Sequence, residues 1–282
     1  MEQKIKKVRL DLYLLDKGFF PTREKARVAI MEGNVFVNNQ KEDKPGTMIK
    51  ENAVVEYRGE KLKYVSRGGL KLEKASEVFN IEFKDLICID IGASTGGFTD
   101  LMLQNGAKKV FAVDCGTNQL DYRLRTNDKV VVMENTNARY LTRDDIGDDI
   151  IDFASVDVSF ISLTKILPVI KELLKISGEA VLLIKPQFEA GKELVEKNGV
   201  VRDKEIHEKV VKYIIDYCMK SNFCIKGLDF SPIKGPAGNI EYLLYISNVD
   251  ISDKLLAIGT DDIDSYVKSI VEKSHESLNK EE

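Results

Sequence analysis

A chain of 282 residues has room for one large α/β domain and a small appendage, and it holds no run of about 18 uncharged apolar residues that would span a membrane. Its four cysteines (Cys88, Cys115, Cys218, Cys224) lack CxxC spacing, and His207 and His275 are its only histidines, both in polar helical stretches. Disulfides, a metal site and histidine acid–base chemistry are therefore disfavoured, and a reducing, cytoplasmic setting is expected. The net charge of −4 divides unevenly: residues 1–74 hold 17 Lys and Arg against 11 Asp and Glu, residues 75–282 hold 25 against 35.

A basic piece on an acidic body suits a polyanion partner, although a solvated face gives the same count. The start, MEQKIKKVRLDL, has neither the apolar stretch nor the cleavage site of a signal peptide. Leu10, Leu12, Leu14 and Leu15 predict a first helix ending at Gly18. Thr22 is the expected N-cap of a second helix with Ala26, Ile30 and Met31 as its stripe and Gly33 at its end. Val35 and Val37 alternate into an Asn38-Asn39 turn, Pro45-Gly46 makes another, and Val54 to Tyr57 closes a small sheet. Lys6, Lys7, Arg9, Arg23, Lys25 and Arg27 decorate the two helices, with Arg23 and Arg27 at i,i+4 on one face. Such a surface grips a phosphate backbone by charge and shape. Arg67, in the basic bridge KLKYVSRGGLKL, extends the set.

The run VRLDLYLLDKGFFPTREKARVAIMEGNVFVNNQ resembles the RNA-binding domain of ribosomal protein S4, through its RLD start, xREKAR helix and GxVxVN turn. Asn39 stands where that family usually has Gly.

After a helix through about Phe79, near-continuous apolar runs alternate with amphipathic helices. LICIDI (86–91), KVFAVD (109–114), KVVVME (129–134), IIDFASVD (150–157) and EAVLLIK (179–185) read as parallel strands buried on both faces. Helices are expected over 98–105, 118–126, 162–176 and 204–221, then a strand pair, FCIKGLDF and EYLLYIS. The fold class is thus a doubly wound, Rossmann-like α/β sheet, mostly parallel with an antiparallel last strand, with ligands at the C-terminal strand ends. It follows a small α+β domain. The expected organisation is residues 1–60 for RNA binding, 61–70 as linker, 71–249 for catalysis and 250–282 as a partly helical tail.

DIGASTGGFTD (90–100) joins the first strand to its helix. Gly92, Gly96 and Gly97 let backbone approach a ligand, but the G-x-x-x-G-G spacing is not that of a pyrophosphate loop. Asp90 fits poorly beside a phosphate and well near a cationic methionine group or loop amides. Asp114, ending the second strand, is placed to accept both hydroxyls of an adenosine ribose. The segment resembles motif I of S-adenosylmethionine methyltransferases. That resemblance implies the cofactor, with Ser94, Thr95, Phe98 and Asp157 around it and Asn135 or Asn137 at the adenine, Asn137 being preferred; a plain turn residue is the alternative for either.

Asp157 ends the fourth strand, Lys185 the fifth, Glu241 opens the last strand, and Lys71 precedes the sheet. Singly, each is explained equally well as a turn former or a solvated edge charge. Together they suit methyl transfer to a ribose hydroxyl, with Lys185 as proton acceptor or as stabiliser of the alkoxide. The four look like the Lys-Asp-Lys-Glu set of FtsJ-type ribose methyltransferases. With SRGGLKL, SVDVSFISL, LIKPQFE and GPAGNIEY, residues 6–248 resemble the TlyA (haemolysin A) family. This resemblance implies cytidine 2′-O-methylation of 16S and/or 23S rRNA in ribosomal subunits, and a bridge that couples RNA to cofactor binding; no obligate protein partner is evident in the sequence, and a monomer is expected. Rival readings are a base N-methyltransferase, whose Asp-Pro-Pro-aromatic loop is missing here, and a non-catalytic RNA-binding factor. A membrane-active haemolysin is the alternative from a different class, and the sequence shows no spanning or strongly amphipathic membrane segment for it.

Overall fold

The structure is a computed structural model describing residues 7–20, 22–59, 63–249 and 262–278. The chain divides into two compact units, Met1–Leu62 and Lys63–Glu282.

The first unit runs β1 (Lys7–Arg9), α1 (Leu10–Asp16), α2 (Arg23–Met31), β2 (Val35–Val37), β3 (Gln40–Glu42), β4 (Met48–Lys50) and β5 (Val55–Tyr57). Leu10 and Leu14 of α1 meet Ala26 and Ile30 of α2 over Val35, Val37 and Ile49. Thr22 caps α2, its hydroxyl accepting from the Lys25 amide at 3.3 Å. Val37 pairs with Gln40 across Asn38 and Asn39, at φ 49° and 65°. Both are left-handed, so Asn39 serves the tight hairpin turn without glycine. Strand β1, antiparallel to β4, was not expected; three residues are too few for an alternation pattern.

The second unit contains α3 (Gly69–Phe79), β6 (Ile87–Ile91), α4 (Gly97–Gln104), β7 (Lys109–Val113), α5 (Tyr122–Arg125), β8 (Val130–Met133), α6 (Arg143–Ile146) and β9 (Ile151–Val156). It continues with α7 (Leu167–Leu173), β10 (Leu174–Ile184), α8 (Pro186–Glu189), α9 (Lys204–Lys220), β11 (Phe223–Phe230), β12 (Tyr242–Asn248) and α10 (Ile263–Leu278). Seven strands form one sheet in the order β11-β12-β10-β9-β6-β7-β8. Strands β6 to β10 are mutually parallel, while β12 runs antiparallel to both β10 and β11. The order reverses between β6 and β9, which opens a crevice at their C-terminal ends.

Three expectations change. The helix over 118–126 shrinks to α5, because the Glu134 carboxylate takes the amides of Asn118, Gln119 and Leu120 at 2.7–3.1 Å and holds them in a loop. The helix over 162–176 becomes a 3₁₀ turn (Leu163–Lys165) followed by α7, with Pro168 in the first turn of the second piece. The segment 63–68, expected as linker, belongs to the second unit and buries Tyr64 and Val65. Of the tail, residues 262–278 are described: Val267, Ile270, Val271 and Leu278 of α10 join the main core. Among the described residues no helix is long and apolar enough to cross a membrane.

Candidate active site

Four separate elements deliver one charged side chain each to the crevice. Asp157 follows β9, its amide bonded to the Ile91 carbonyl at 2.9 Å, so it lies directly beside the end of β6. Lys185 follows β10, and Pro186 turns the chain into α8 there. Glu241 precedes β12, and Lys71 lies in the first turn of α3. Their charges alternate along a chain: Glu241 Oε2 to Lys71 Nζ at 2.6 Å, Lys71 Nζ to Asp157 Oδ2 at 3.6 Å, Asp157 Oδ1 to Lys185 Nζ at 2.5 Å. Lys185 Nζ also donates to Ser159 Oγ at 3.0 Å.

Lys71 and Glu241 are buried and the Asp157 side chain is 20% exposed, so the rim opens at Asp157. Burial works against the charge on Lys71, but Asp157 and Glu241 outweigh it and raise its pKa above the ordinary lysine value. Gly235 makes room for Glu241: a Cβ there would lie 2.6 Å from Oε1. Buried Asn239 fixes that loop, its carboxamide accepting from the Val201 amide and donating to the Gly199 carbonyl.

The glycine loop lies against the backbone of the same Asp157. At Gly92 (φ +86°) a Cβ would stand 2.3 Å from the Asp157 carbonyl oxygen, so only glycine lets loop and strand end meet. Asp90 is buried and accepts from the Thr99 amide and hydroxyl and from the Ser155 hydroxyl, which anchors α4 to the sheet. Burial raises its pKa to about 6. Asp114 holds the Ser94 amide at 2.8 Å and the Gly116 amide at 2.7 Å. Gly96 caps α4 in a left-handed conformation, Gly97 and Phe98 begin the helix buried, and Thr95 is half-buried. A cavity here is lined by Ser66, Gly68, Asp90, Ser94, Thr95 and Asp157, among others. Asn137 is exposed and outside that lining. Its carboxamide oxygen accepts from Arg139 N and Nε, so it acts as the cap of a 3₁₀ turn and keeps only its NH₂ for a ligand.

A FtsJ-like methyltransferase family model matches residues 64–248, and an S4 domain model matches residues 8–55. YqxC of Bacillus subtilis is 48% identical over 273 residues, 97% of this chain and 96% of that protein. The 16S/23S rRNA (cytidine-2′-O)-methyltransferase TlyA of Mycobacterium tuberculosis is 37% identical over 242 residues, 86% of this chain and 90% of that protein. The chain belongs to the TlyA family. A solved structure described as a hemolysin of Streptococcus thermophilus matches at TM-score 0.76 and 47% identity, covering 99% of both chains.

Three groups in this TlyA-family site escaped the sequence reading. Ser66 and Gly68 bring the bridge onto the loop: a Cβ at Gly97 would meet Ser66 Oγ at 2.5 Å and Gly69 N at 2.7 Å. The Asp100 carboxylate accepts the Val65 amide at 2.8 Å, tying bridge to α4. The SRGG glycines were the available signal. Phe160, three residues past Asp157, is 90% exposed at φ 63°, its ring 5.0 Å from Phe188. His207 and His275 lie in helices α9 and α10, in the helical stretches expected, and are buried against each other inside the fold.

In the S4 domain three of the basic residues are paired with carboxylates. Arg23 shares the buried Asp11 carboxylate with Arg9, while Arg27 reaches Glu24 at 3.3 Å. Lys7 is exposed and Lys25 half-buried; Arg67, in the second unit, is exposed; Lys6 lies outside the described residues.

Proposed function

We propose that the protein transfers a methyl group from S-adenosylmethionine to the 2′-hydroxyl of cytidine in ribosomal RNA, 16S, 23S or both, within ribosomal subunits. The supporting observation is the alternating chain Glu241–Lys71–Asp157–Lys185 on the rim of the glycine loop. The loop fits this cofactor. Asp114 spends one lone pair of each oxygen on an amide and keeps others for ribose hydroxyls. Asp90 keeps the loop in shape, Gly92, Gly96 and Gly97 let it pack closely enough to form the pocket, and the Asn137 NH₂ remains for the adenine. When bound, the cofactor supplies an electrophilic methyl on a sulfonium.

Lys71, held charged by two carboxylates, is a fixed cation that orders Asp157 and Glu241. Lys185 meets the ribose hydroxyl. In its neutral form it accepts the proton; in its charged form it stabilises the developing alkoxide, and Asp157 orients it in both. Exposed Phe160 offers a ring face to a base beside the target, and the basic S4 domain grips phosphate. The reading includes a monomer acting in the cytoplasm, where ribosomal subunits are found. The test is to incubate the protein with ribosomal subunits and labelled cofactor and to map the labelled nucleotide and atom. Label on a cytidine 2′-oxygen is expected; label on a base nitrogen, or none, overturns the reading.

A further inference from the structure

A negative charge is out of place on a face that binds RNA, yet the S4 domain buries one there. Asp11 has no exposed surface, and its backbone is pinned as well, its amide donating to the Pro45 carbonyl at 3.1 Å. Oδ1 accepts from Arg9 Nε at 3.0 Å and from the Leu12 amide at 3.0 Å. Oδ2 accepts from Arg9 Nη2 at 2.9 Å and from Arg23 Nε at 2.9 Å, and Arg23 Nη2 forms an ion pair with it at 2.8 Å. Each guanidinium thus spends one edge on the carboxylate and keeps its Nη1 for another partner. The two side chains are 43% and 49% exposed. Arg9 is backed by the Pro45–Gly46 turn, where a Cβ on Gly46 would come within 3.5 Å of Nη1. Two guanidiniums sharing one oxygen would repel each other without the charge between them, and the trio keeps one net positive charge.

We propose that Asp11 is a positioning residue that locks Arg9 and Arg23 into one clamp for a single RNA phosphate. The advantage is preorganisation: both arginines lose their rotamer freedom on folding, before RNA arrives, and a planar fork is the shape that grips phosphate oxygens. The carboxylate stays ionised wherever the protein is folded, since the Arg9 hydrogen bond, then Arg23, hold its pKa at about 2 against burial. The inference rests on the reading of this domain as an RNA-gripping one.

The experiment measures binding of a fluorescein-labelled RNA hairpin to the full chain by anisotropy, from about 50 to about 200 mM salt. Asp11→Asn removes a negative charge, so simple electrostatics predicts tighter binding. The clamp predicts weaker binding, with a log–log salt slope shallower by about one, the mark of one lost phosphate contact. Adding Asp11→Asn to Arg9→Ala with Arg23→Ala should cost nothing further, which a general structural role would not allow. Arg9→Lys with Arg23→Lys leaves Asp11 and the net charge in place but abolishes the fork, and should flatten the slope equally; this pair decides the matter if Asp11→Asn does not fold. Wild-type or tighter binding by Asp11→Asn, or wild-type binding by the lysine pair, overturns the clamp. If Arg9→Ala with Arg23→Ala also binds like wild type, the RNA-gripping reading of this face falls with it, and the alanine pair tells the two failures apart.

Discussion

Lys71 Nζ sits 2.6 Å from Glu241 Oε2 across 170 residues of sequence, both side chains buried. Two ions removed from water are expensive, and their attraction repays the cost only while both are present. Lys71→Met alone should therefore lower unfolding free energy by about 3 kcal/mol or more, by stranding Glu241. Lys71→Met with Glu241→Leu should recover most of that stability and none of the methyl transfer. Urea unfolding midpoints beside a transfer assay separate the two. A double variant as unstable as the single one would mean that the pair builds the fold and not only the site.

Lys185 differs from Lys71 in facing one carboxylate instead of two, with Ser159 as its other partner. Lys185→Ala should slow methyl transfer by about 10²-fold or more while cofactor and RNA affinities stay near wild type. Single-turnover rates and separate binding titrations check this. Full activity in the variant would remove Lys185 from the chemistry.

Gly92 and Asp157 are in backbone contact, and a Cβ has nowhere to go. Gly92→Ala should cost about 2 kcal/mol or more and abolish cofactor binding, because the loop must retreat from the Asp157 backbone carbonyl. Gly18→Ala is the control: its φ is also positive, at +72°, but a Cβ there meets nothing within 4 Å. That substitution should cost about 1 kcal/mol of backbone strain and leave the cofactor titration unchanged. Calorimetric binding with thermal melts distinguishes the cases.

The buried parallel strands were legible because strands covered on both faces must be apolar throughout, as in Ile87–Ile91 and Ile151–Val156. The glycine loop was legible because its spacing reports backbone approach. The four tetrad residues each look ordinary in sequence; only their motifs brought them together, and the sheet order puts Asp157 beside Gly92. What stayed hidden was set by single long-range hydrogen bonds. Glu134 unwinds three residues of an expected helix, Asp11 holds Arg23, and Asp100 fastens the bridge. A periodicity argument sees which face is apolar, not which carboxylate a distant amide will find.

The histidines give the last prediction, a dependence of stability on pH. His207 Nε2 lies 2.8 Å from the Val201 carbonyl, which only accepts, so that nitrogen carries the proton. Its Nδ1 is then the acceptor, 2.7 Å from the Tyr242 hydroxyl and 3.3 Å from His275 Nε2, joining α9, β12 and α10 with both rings neutral. Burial lowers both pKa values; for His275 burial, then His207, Lys204 and Lys234, bring it from 6.5 to about 4. The unfolded chain therefore binds protons that the native one refuses. The contribution is complete above about pH 6.5 and is lost as pH falls through about 4, for His275 on the order of 3 kcal/mol at most. Asp90 acts in the opposite direction, since its raised pKa of about 6 costs stability as pH climbs through that value. Asp11 and Glu134, both held near 2, lose their contributions only at lower pH. Urea midpoints from about pH 7 to about pH 4.5, compared between wild type and His275→Leu, isolate the pair. The variant should show the shallower decline over that window, and parallel curves would mean that the two rings titrate alike in the folded and unfolded chain.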